Sequence, residues 1–324
     1  MPADAEPTAR TAKFNSPDLP PIVPMNSHQP ARTSVLVNTF NHARYLPRCL
    51  DSVLEQSRVP DEVIVYDDGS SDGSTDVVRG YGPRVRLLAR PHGAGKPTTN
   101  QALAIAEAFR ESTGDLVFLL DGDDAFLPGK VASYCEAFAS ESSIVMVQAP
   151  AQRIDLHGRS LGLEYYPRNH QDDPLASIYK DGYLNLHYPT STLAFSRDYL
   201  HARLPLNTDD GLHLWPDGRL AVIAPLFGRV ATLNQPWTQW RRHGEAHTIQ
   251  APMEQYRLVR DNQLYFNAYC RSTKRRQIHP WRTPQLWRLW VSHYLLPRSR
   301  PAWFRALRWT MMTRKEKEWM TPGA

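Results

Sequence analysis

The stretch Leu119-Leu120-Asp121-Gly122-Asp123-Asp124 places three carboxylates within four residues, directly after an apolar segment, Asp115–Leu120, that predicts a buried strand. Like charges this close raise each other's pKa unless a cation offsets them. Carboxylate oxygens suit Mg²⁺ or Mn²⁺, whose sites combine one or two carboxylates with substrate phosphates. The alternative is a solvated turn after a strand. We favour a divalent-metal site at the end of this strand.

The segments around this stretch alternate between strand and helix patterns, which predicts βαβ units and a mostly parallel sheet. In such sheets ligands bind at the carboxyl ends of the strands. The expected strands are Ser34–Val37, Glu62–Tyr66, Val85–Leu88, Ile144–Gln148, His187–Phe195 and Gly228–Leu233, and the expected helices are Leu46–Gln56, Asn100–Arg110, Gly129–Ala139 and Leu220–Leu226.

Composition divides the 324 residues into three parts. Residues 1–31 hold seven prolines and no apolar period, which predicts a disordered arm. Residues 32–250 form the α/β domain. Residues 251–324 form a basic, Trp-rich helical extension: residues 271–324 carry 13 Lys and Arg against 2 Asp and Glu, and six of the nine tryptophans.

The second expected strand ends in another acidic pair, Asp67-Asp68. An acidic residue at this point commonly accepts hydrogen bonds from a ribose or base, although an Asx-type turn is the structural alternative. The first strand is followed by Asn38-Thr39-Phe40-Asn41, which lacks the glycines of a dinucleotide fingerprint. A nicotinamide or flavin cofactor is therefore not expected.

A loop with two glycines, Gly93-Ala94-Gly95-Lys96-Pro97-Thr98, is reminiscent of a phosphate-binding loop. Arg90 and Pro97 occupy positions where that motif needs Gly and Ser or Thr. We interpret the segment as a flexible loop in which Lys96 is either a phosphate contact or an ordinary surface lysine.

Three blocks in order, Val35–Asn41, Glu62–Thr75 and Leu119–Pro128, resemble glycosyltransferase family 2. The resemblance extends from about Thr33 to Thr248. It implies a GT-A fold, a Rossmann-like nucleotide-binding sheet joined to an acceptor-binding half, and an inverting transfer from a nucleotide-sugar.

The resemblance assigns roles to individual residues. It implies that the nucleotide contacts Asn38, Phe40, Asn41, Asp68, Lys96, Asn100, Asp121 and Asp123. It implies a divalent metal, Mn²⁺ or Mg²⁺, held by Asp123 and Asp124, with His243 as a further ligand. Position 38 is usually proline and position 40 usually tyrosine in this family, so both depart from the pattern.

In the second half, Asp217-Gly218-Arg219-Leu220 resembles the block that carries the family's catalytic base. Asp217 is therefore the expected base, with Asp209 and Asp210 as alternatives. Pro189–Arg197 resembles a segment of many bacterial members, and His187, Thr190 and Ser191 are the expected acceptor-site residues. Trp240–Gly244 resembles the segment that closes the catalytic domain.

The tail interleaves tryptophans and arginines in Leu286–Val291 and Trp303–Trp309. Three interpretations compete: an interfacial helix on an anionic leaflet, packing within the protein or an oligomer, and nucleic-acid binding, which is the least favoured. No apolar run is long enough to span a membrane, and Cys49, Cys135 and Cys270 indicate thiols in a reducing compartment.

These observations predict a cytoplasmic enzyme, peripheral at the inner leaflet through its tail. It would transfer a sugar from a UDP-, dTDP- or GDP-sugar to a saccharide or lipid-linked acceptor in cell-surface polysaccharide or glycolipid synthesis. Two alternatives stay open: a non-catalytic scaffold or binding protein of the same fold, and a metal-dependent nucleotidyltransferase.

Overall fold

The computed structural model describes residues 31–93, 95–164, 173–181, 188–242 and 252–279. The strands are β1 (Thr33–Thr39), β2 (Glu62–Asp67), β3 (Arg86–Ala89), β4 (Leu116–Asp121), β5 (Ala125–Phe126), β6 (Ile144–Gln148), β7 (Ala151–Ile154), β8 (Ser160–Glu164), β9 (Ala194–Ser196), β10 (Arg229–Thr232) and β11 (Thr238–Arg241). The helices are α1 (Leu46–Leu54), α2 (Ser74–Arg79), α3 (Pro97–Glu111), α4 (Lys130–Ser140), α5 (Pro174–Asp181), α6 (Arg197–His201), α7 (Pro216–Ile223) and α8 (Pro252–Ser272).

A seven-stranded sheet with the order β10-β6-β9-β4-β1-β2-β3 organises the fold. Its pairs are parallel except those of β9 with β4 and β6. Both faces of β1 are covered: Val35 and Val37 belong to the core on the α1 face, while Leu36 belongs to the core on the α3 face. Burial on both faces explains the continuous apolar runs in the sequence and confirms the expected α/β class.

The sheet order reverses next to β1. The chain runs from β1 outward through β2 and β3, and then returns to β4 on the other side of β1. Such a switch point leaves a crevice at the carboxyl ends of the strands. Asn38 is aligned with Asp121, and Thr39 is aligned with Asp67, so the three polar strand ends meet at this crevice.

Two features differ from the sequence-based prediction. The expected strand over His187–Phe195 is only β9; Thr190–Thr192 forms a single 3-10 turn, because the Thr192 and Leu193 N–H groups bond to Pro189 and Thr190 carbonyls. A second sheet, with the order β5-β11-β7-β8, was not predicted at all. Its strands have two to five residues, too few to show a clear alternating pattern.

The helix over 220–226 begins earlier than predicted, at Pro216, because proline is preorganised for the first helical position. Arg219 on this helix is fully buried and makes a bidentate ion pair with Asp210. Its Nη1 donates to Oδ2 (2.5 Å), and its Nη2 donates to Oδ1 (2.8 Å). Its guanidinium also lies 5.1 Å from the ring centroid of Tyr265 on α8. These contacts fix α7 and its first-turn residue Asp217 against the core.

The predicted disordered arm and most of the Trp-rich extension lie outside the described residues, as do the predicted domain boundaries near residue 250. The described part of the extension is α8 and the segment that follows it to residue 279. Within the described ranges, the longest helices lack the apolar length needed to cross a bilayer.

We predict that Arg219→Met lowers the free energy of unfolding by about 3–5 kcal/mol, because it leaves the buried Asp210 carboxylate without its partner. Urea unfolding at neutral pH measures the change. Arg79→Met is the matched control: its exposed pair with Asp76 is worth at most about 1 kcal/mol. Equal losses in the two variants would contradict the assignment.

Candidate active site

The polar run after β2 wraps around the turn that follows β1. Asn41 has a left-handed φ of 55°, donates its N–H to Ser70 Oγ (2.8 Å) and accepts from the Ser71 N–H through Oδ1 (2.9 Å). The Ala43 N–H donates to Asp72 Oδ2 at 2.9 Å. The serines and aspartates of this run therefore fix the loop that carries Phe40.

Asp67 and Asp68 have different surroundings. Asp67 is fully buried, and its Oδ1 accepts from the Ser70 N–H (2.9 Å), which is the Asx-type turn considered as an alternative. Gly69 follows with a φ of 75°, and a Cβ there would lie 2.3 Å from the backbone nitrogen of His92. Only glycine lets the β2 loop approach the segment after β3 this closely.

Asp68 is buried, and its carboxylate accepts one hydrogen bond from the loop between β3 and α3 and one from α3 itself. The Gly93 N–H donates to Oδ1 (3.1 Å), and Asn100 Nδ2 donates to Oδ2 (3.1 Å). His92 Nδ1 lies 2.9 Å from the Asp68 carbonyl oxygen and 3.0 Å from Oδ2. The loop predicted to be flexible is thus tied to Asp68, and Asn100 is part of that tie.

Two aromatic rings stack beside Asp68. Phe40 and His92 have ring centroids 4.3 Å apart and an interplanar angle of 19°. Phe40 is 41% exposed and the His92 side chain is 50% exposed, so the two stacked rings are accessible from the crevice. Sequence analysis predicted Phe40 but missed His92, whose single signal was its position just before the glycine loop.

Asp121 ends β4 at the floor of the crevice. Its N–H donates to Ser191 Oγ (3.0 Å), and its Oδ1 accepts from Gln101 Nε2 (3.1 Å), a contact that the sequence did not indicate. Burial, followed by the charges of Asp123 and Asp217, raises the pKa of Asp121 to about 8. The carboxylates of Asp121, Asp123 and Asp217 therefore lie close enough to interact electrostatically.

Gly122 between the first two carboxylates is required by packing. A Cβ at this position would lie 2.8 Å from Thr39 Oγ1 and 3.1 Å from His42 Nδ1. The Gly122 N–H also donates to the Asn38 carbonyl oxygen at 2.8 Å. The turn that presents Asp121 and Asp123 is therefore pressed against the end of β1, and Asn38 holds it through the backbone.

Asp124 anchors the turn to the rest of the domain. It is 2% exposed; its Oδ2 accepts from Ser191 Oγ (2.6 Å) and its Oδ1 from the Arg241 N–H (2.7 Å). Both oxygens of Asp124 accept hydrogen bonds from protein donors, so this carboxylate anchors the turn. The roles of Asp123 and Asp124 as metal ligands stay predictions.

Arg241 supports the same turn from the second sheet. Its Nε donates to the Asp123 carbonyl oxygen (2.8 Å), and its Nη1 donates to the Asp155 carbonyl oxygen (2.7 Å). Its guanidinium lies 4.4 Å from the ring centroid of Tyr45. The second sheet, unrecognised in the sequence, thus contributes a buried cation beneath the carboxylates.

Asp217 is the one of the three candidate bases that reaches this edge. It is 8% exposed, accepts from Thr190 Oγ1 (2.9 Å) and contributes to the raised pKa of Asp121. Asp210 is held by Arg219, and Asp209 is exposed. Thr190 and Ser191 bond to Asp217 and Asp124, and their predicted contact with an acceptor stays a prediction.

The remaining predicted site residues have no described contact with the carboxylates. Lys96 is exposed at the start of α3, and His187 and His243 lie outside the described residues. No cluster of three or more His, Cys, Asp or Glu side chains within the described ranges forms a complete metal cage. Two carboxylates supplemented by phosphate oxygens are nevertheless the usual arrangement for Mg²⁺.

Comparison with known sequences supports the resemblance. The profile described as Glycosyl transferase family 2 matches residues 34–204, more than half of the chain. An uncharacterized glycosyltransferase of Nostoc, alr2836, is 29% identical over 221 residues, 68% of this chain and 67% of that protein. The chondroitin synthase of Pasteurella multocida is 28% identical over 148 residues, 45% of this chain but only 15% of the synthase.

Solved structures share the fold at low sequence identity. The mannosyltransferase PcManGT from Pyrobaculum calidifontis, in complex with GDP-Man and Mn²⁺, has a TM-score of 0.56 and 16% identity, covering 92% of this chain and 85% of its own. Staphylococcus aureus TarS 1–349, in complex with UDP-GlcNAc, has a TM-score of 0.53 and 18% identity, with coverages of 81% and 73%. The large, mostly parallel sheet with its smaller companion is therefore the GT-A fold that the sequence predicted.

We predict that Asn100→Asp makes stability fall with rising pH. The new carboxyl would face Asp68 at about the 3.1 Å of the present bond, so the folded-state pKa of one carboxyl rises above its unfolded value. The variant then matches the parent best at low pH and loses about 1–3 kcal/mol as pH rises through the raised pKa. Urea unfolding between pH 4.5 and 7.5 measures this loss. The exposed Asn234→Asp is the control, and parallel pH profiles for the two variants would contradict the contact.

Proposed function

The chain belongs to glycosyl transferase family 2, and from that membership and the geometry of the crevice we propose that it transfers a sugar, with inversion, from a nucleotide-sugar to a hydroxyl acceptor. The observation that carries the proposal is the convergence of Asp68, the Asp121–Asp124 turn and Asp217 at one edge of the sheet. Each of the three meets a different part of the reaction: the nucleoside, the diphosphate and the acceptor.

The nucleoside would bind between Asp68 and the Phe40–His92 stack. A carboxylate offers about four lone-pair positions, and two hydrogen bonds, from Gly93 and Asn100, already reach Asp68. The positions that remain suit the N–H donors of a base, whether uracil, thymine or guanine. The proposed donor is therefore a UDP-, dTDP- or GDP-sugar.

The diphosphate would bind over Asp121 and Asp123 together with Mn²⁺ or Mg²⁺. The residues fit such an ion: two oxygen-donor side chains lie on one turn, where burial and then the negative charges of Asp123 and Asp217 raise the pKa of Asp121. When bound, the ion offsets charge on the leaving diphosphate. Lys96, exposed at the start of α3, would meet a phosphate oxygen that extends from the nucleoside.

Asp217 would act as the general base. The acceptor oxygen attacks the anomeric carbon, the bond to the diphosphate breaks, and the hydroxyl proton passes to Asp217. The Thr190 hydroxyl holds one oxygen of Asp217, which leaves the other to accept this proton. A positioned base contributes about 10²–10⁴-fold to such a step.

A role in making a cell-surface polysaccharide or glycolipid is supported by the kinds of relatives that match. Besides the chondroitin synthase, a hyaluronan synthase of Pasteurella multocida is 27% identical over 148 residues, and a putative glycosyltransferase, EpsH, of Bacillus subtilis is 22% identical over 231. Contact of the basic, Trp-rich extension with the inner leaflet remains part of the proposal. Liposome co-sedimentation with and without residues 278–324 addresses it.

We predict that one nucleoside diphosphate raises the thermal unfolding temperature more strongly with Mn²⁺ or Mg²⁺ than with EDTA. UDP, dTDP and GDP are each tested with Mn²⁺, with Mg²⁺ and with EDTA, and one of them should give the largest shift. Asp123→Asn should abolish the metal-dependent part, because it removes a charge that binds the cation. If no diphosphate shifts the parent, the non-catalytic alternative replaces this proposal.

We predict that Asp217→Asn leaves metal-dependent binding of the diphosphate within about twofold while slowing transfer by about 10²–10⁴-fold. The amide keeps the contact with Thr190 but cannot take a proton. Asp209→Asn, at an exposed position of the same segment, is the control and should transfer at the parent rate. Transfer by Asp217→Asn at the parent rate would place the base elsewhere.

A further inference from the structure

A lysine lies fully buried beneath the carboxylate turn. Lys130, the first residue of α4, donates from Nζ to the Ser191 carbonyl oxygen and to Thr238 Oγ1 (2.9 Å). Its Nζ also lies 3.8 Å from the ring centroid of Phe126. Lysine is almost never fully buried unless it is paired, so this side chain has a specific task in the structure.

The contacts of Lys130 connect it to the carboxylate turn and to Asp217. Ser191 Oγ donates to Asp124 and accepts from the Asp121 N–H, so it holds the carboxylate turn at two points. Thr190, the preceding residue, holds Asp217. The single turn Thr190–Thr192 therefore links the proposed metal ligands to the proposed base, and Lys130 supports that turn from below.

Thr238 completes the support. Its hydroxyl accepts from Lys130 and donates to the same Ser191 carbonyl oxygen (3.1 Å). Thr238 begins β11, whose last residue, Arg241, bonds to the backbone of Asp123 and the side chain of Asp124. The second sheet and α4 thus reach the carboxylate turn together.

The nucleoside half has no such connection. Asp68 is held by His92, Gly93 and Asn100, and none of these bonds involves Lys130, Ser191 or Thr238. A substitution at Lys130 should therefore affect the two halves of the proposed nucleotide site differently. It should weaken binding of the metal and diphosphate, and it should leave binding of the nucleoside unchanged.

We propose that Lys130 is a positioning residue which, through the Thr190–Thr192 turn, aligns Asp121 and Asp123 for the metal-bound diphosphate and Asp217 for the acceptor. The inference rests on the donor site proposed above. Groups that orient metal ligands commonly change metal affinity by 10–100-fold when they are replaced.

The test uses Lys130→Met in the full chain, which retains an unbranched side chain but has no N–H donors. Titration calorimetry measures the affinity for UDP, or for the diphosphate that the parent binds best, once with Mn²⁺ and once with EDTA. We expect the gain in affinity from Mn²⁺ to fall by about 10–100-fold, and the affinity in EDTA to stay within about twofold.

Arg203→Met is the matched control. Arg203 is a buried basic residue that lies 3.6 Å from the ring centroid of Phe227, in the other core, and it bonds to the Ala202 carbonyl oxygen. It should lower stability and keep the full gain from Mn²⁺. Thr238→Val, which keeps Lys130 and nearly the same volume, should reduce the gain in the same direction as Lys130→Met, and it decides the question if Lys130→Met does not fold.

Two results would overturn the proposal. The first is a Lys130→Met or Thr238→Val protein that keeps the full gain from Mn²⁺. The second is an equal loss of affinity with Mn²⁺ and with EDTA, which would make Lys130 a purely structural residue. A parent protein that binds no diphosphate under either condition would instead refute the proposed donor site itself.

Discussion

The fold of this chain depends on holding three mutually repelling carboxylates in one turn. Asp121, Asp123 and Asp124 follow a fully buried strand, and burial together with neighbouring negative charge raises the pKa values of Asp121 and Asp124. Hydrogen bonds to the charged form oppose this effect. Asp124 receives two short bonds, from the Ser191 hydroxyl and from the Arg241 N–H, and Asp121 receives bonds from Gln101 and Thr190. Asp124, at 2% exposure, anchors the turn most deeply in the protein.

These hydrogen bonds explain why distant parts of the chain must meet beneath the turn. Ser191 comes from the 3-10 turn that precedes β9, Arg241 comes from β11 of the second sheet, and Gly122 is pressed against Thr39 at the end of β1. None of these segments can be displaced without moving a carboxylate. The antiparallel strand β9, inserted between β4 and β6, places Ser191 under Asp121.

The sequence predicts the parallel part of this arrangement well and the rest poorly, for a physical reason. Strands buried on both faces leave long apolar runs, and their polar ends are visible as clusters such as Asp67-Asp68. The two- to five-residue strands of the second sheet carry no such signal. His92 and Gln101 reach the crevice through loop and helix geometry that residue type alone does not encode. The competing roles of Asp121 and Asp124, adjacent and chemically identical, are distinguishable only by their hydrogen-bond partners.

The two halves of the crevice are built on different principles, and the difference bears on how the site could evolve. The half proposed to bind the nucleoside is held by a short loop and Asn100, whose hydrogen bonds reach Asp68 and Gly93 and do not involve the carboxylate turn. The half proposed to bind the diphosphate is held by buried residues from α4, the Thr190–Thr192 turn and β11. Substitution in that second half disturbs core packing and charge balance together. Substitutions around Asp68 should therefore cost little stability, whereas the carboxylate turn and the buried lysine beneath it can change only as a unit.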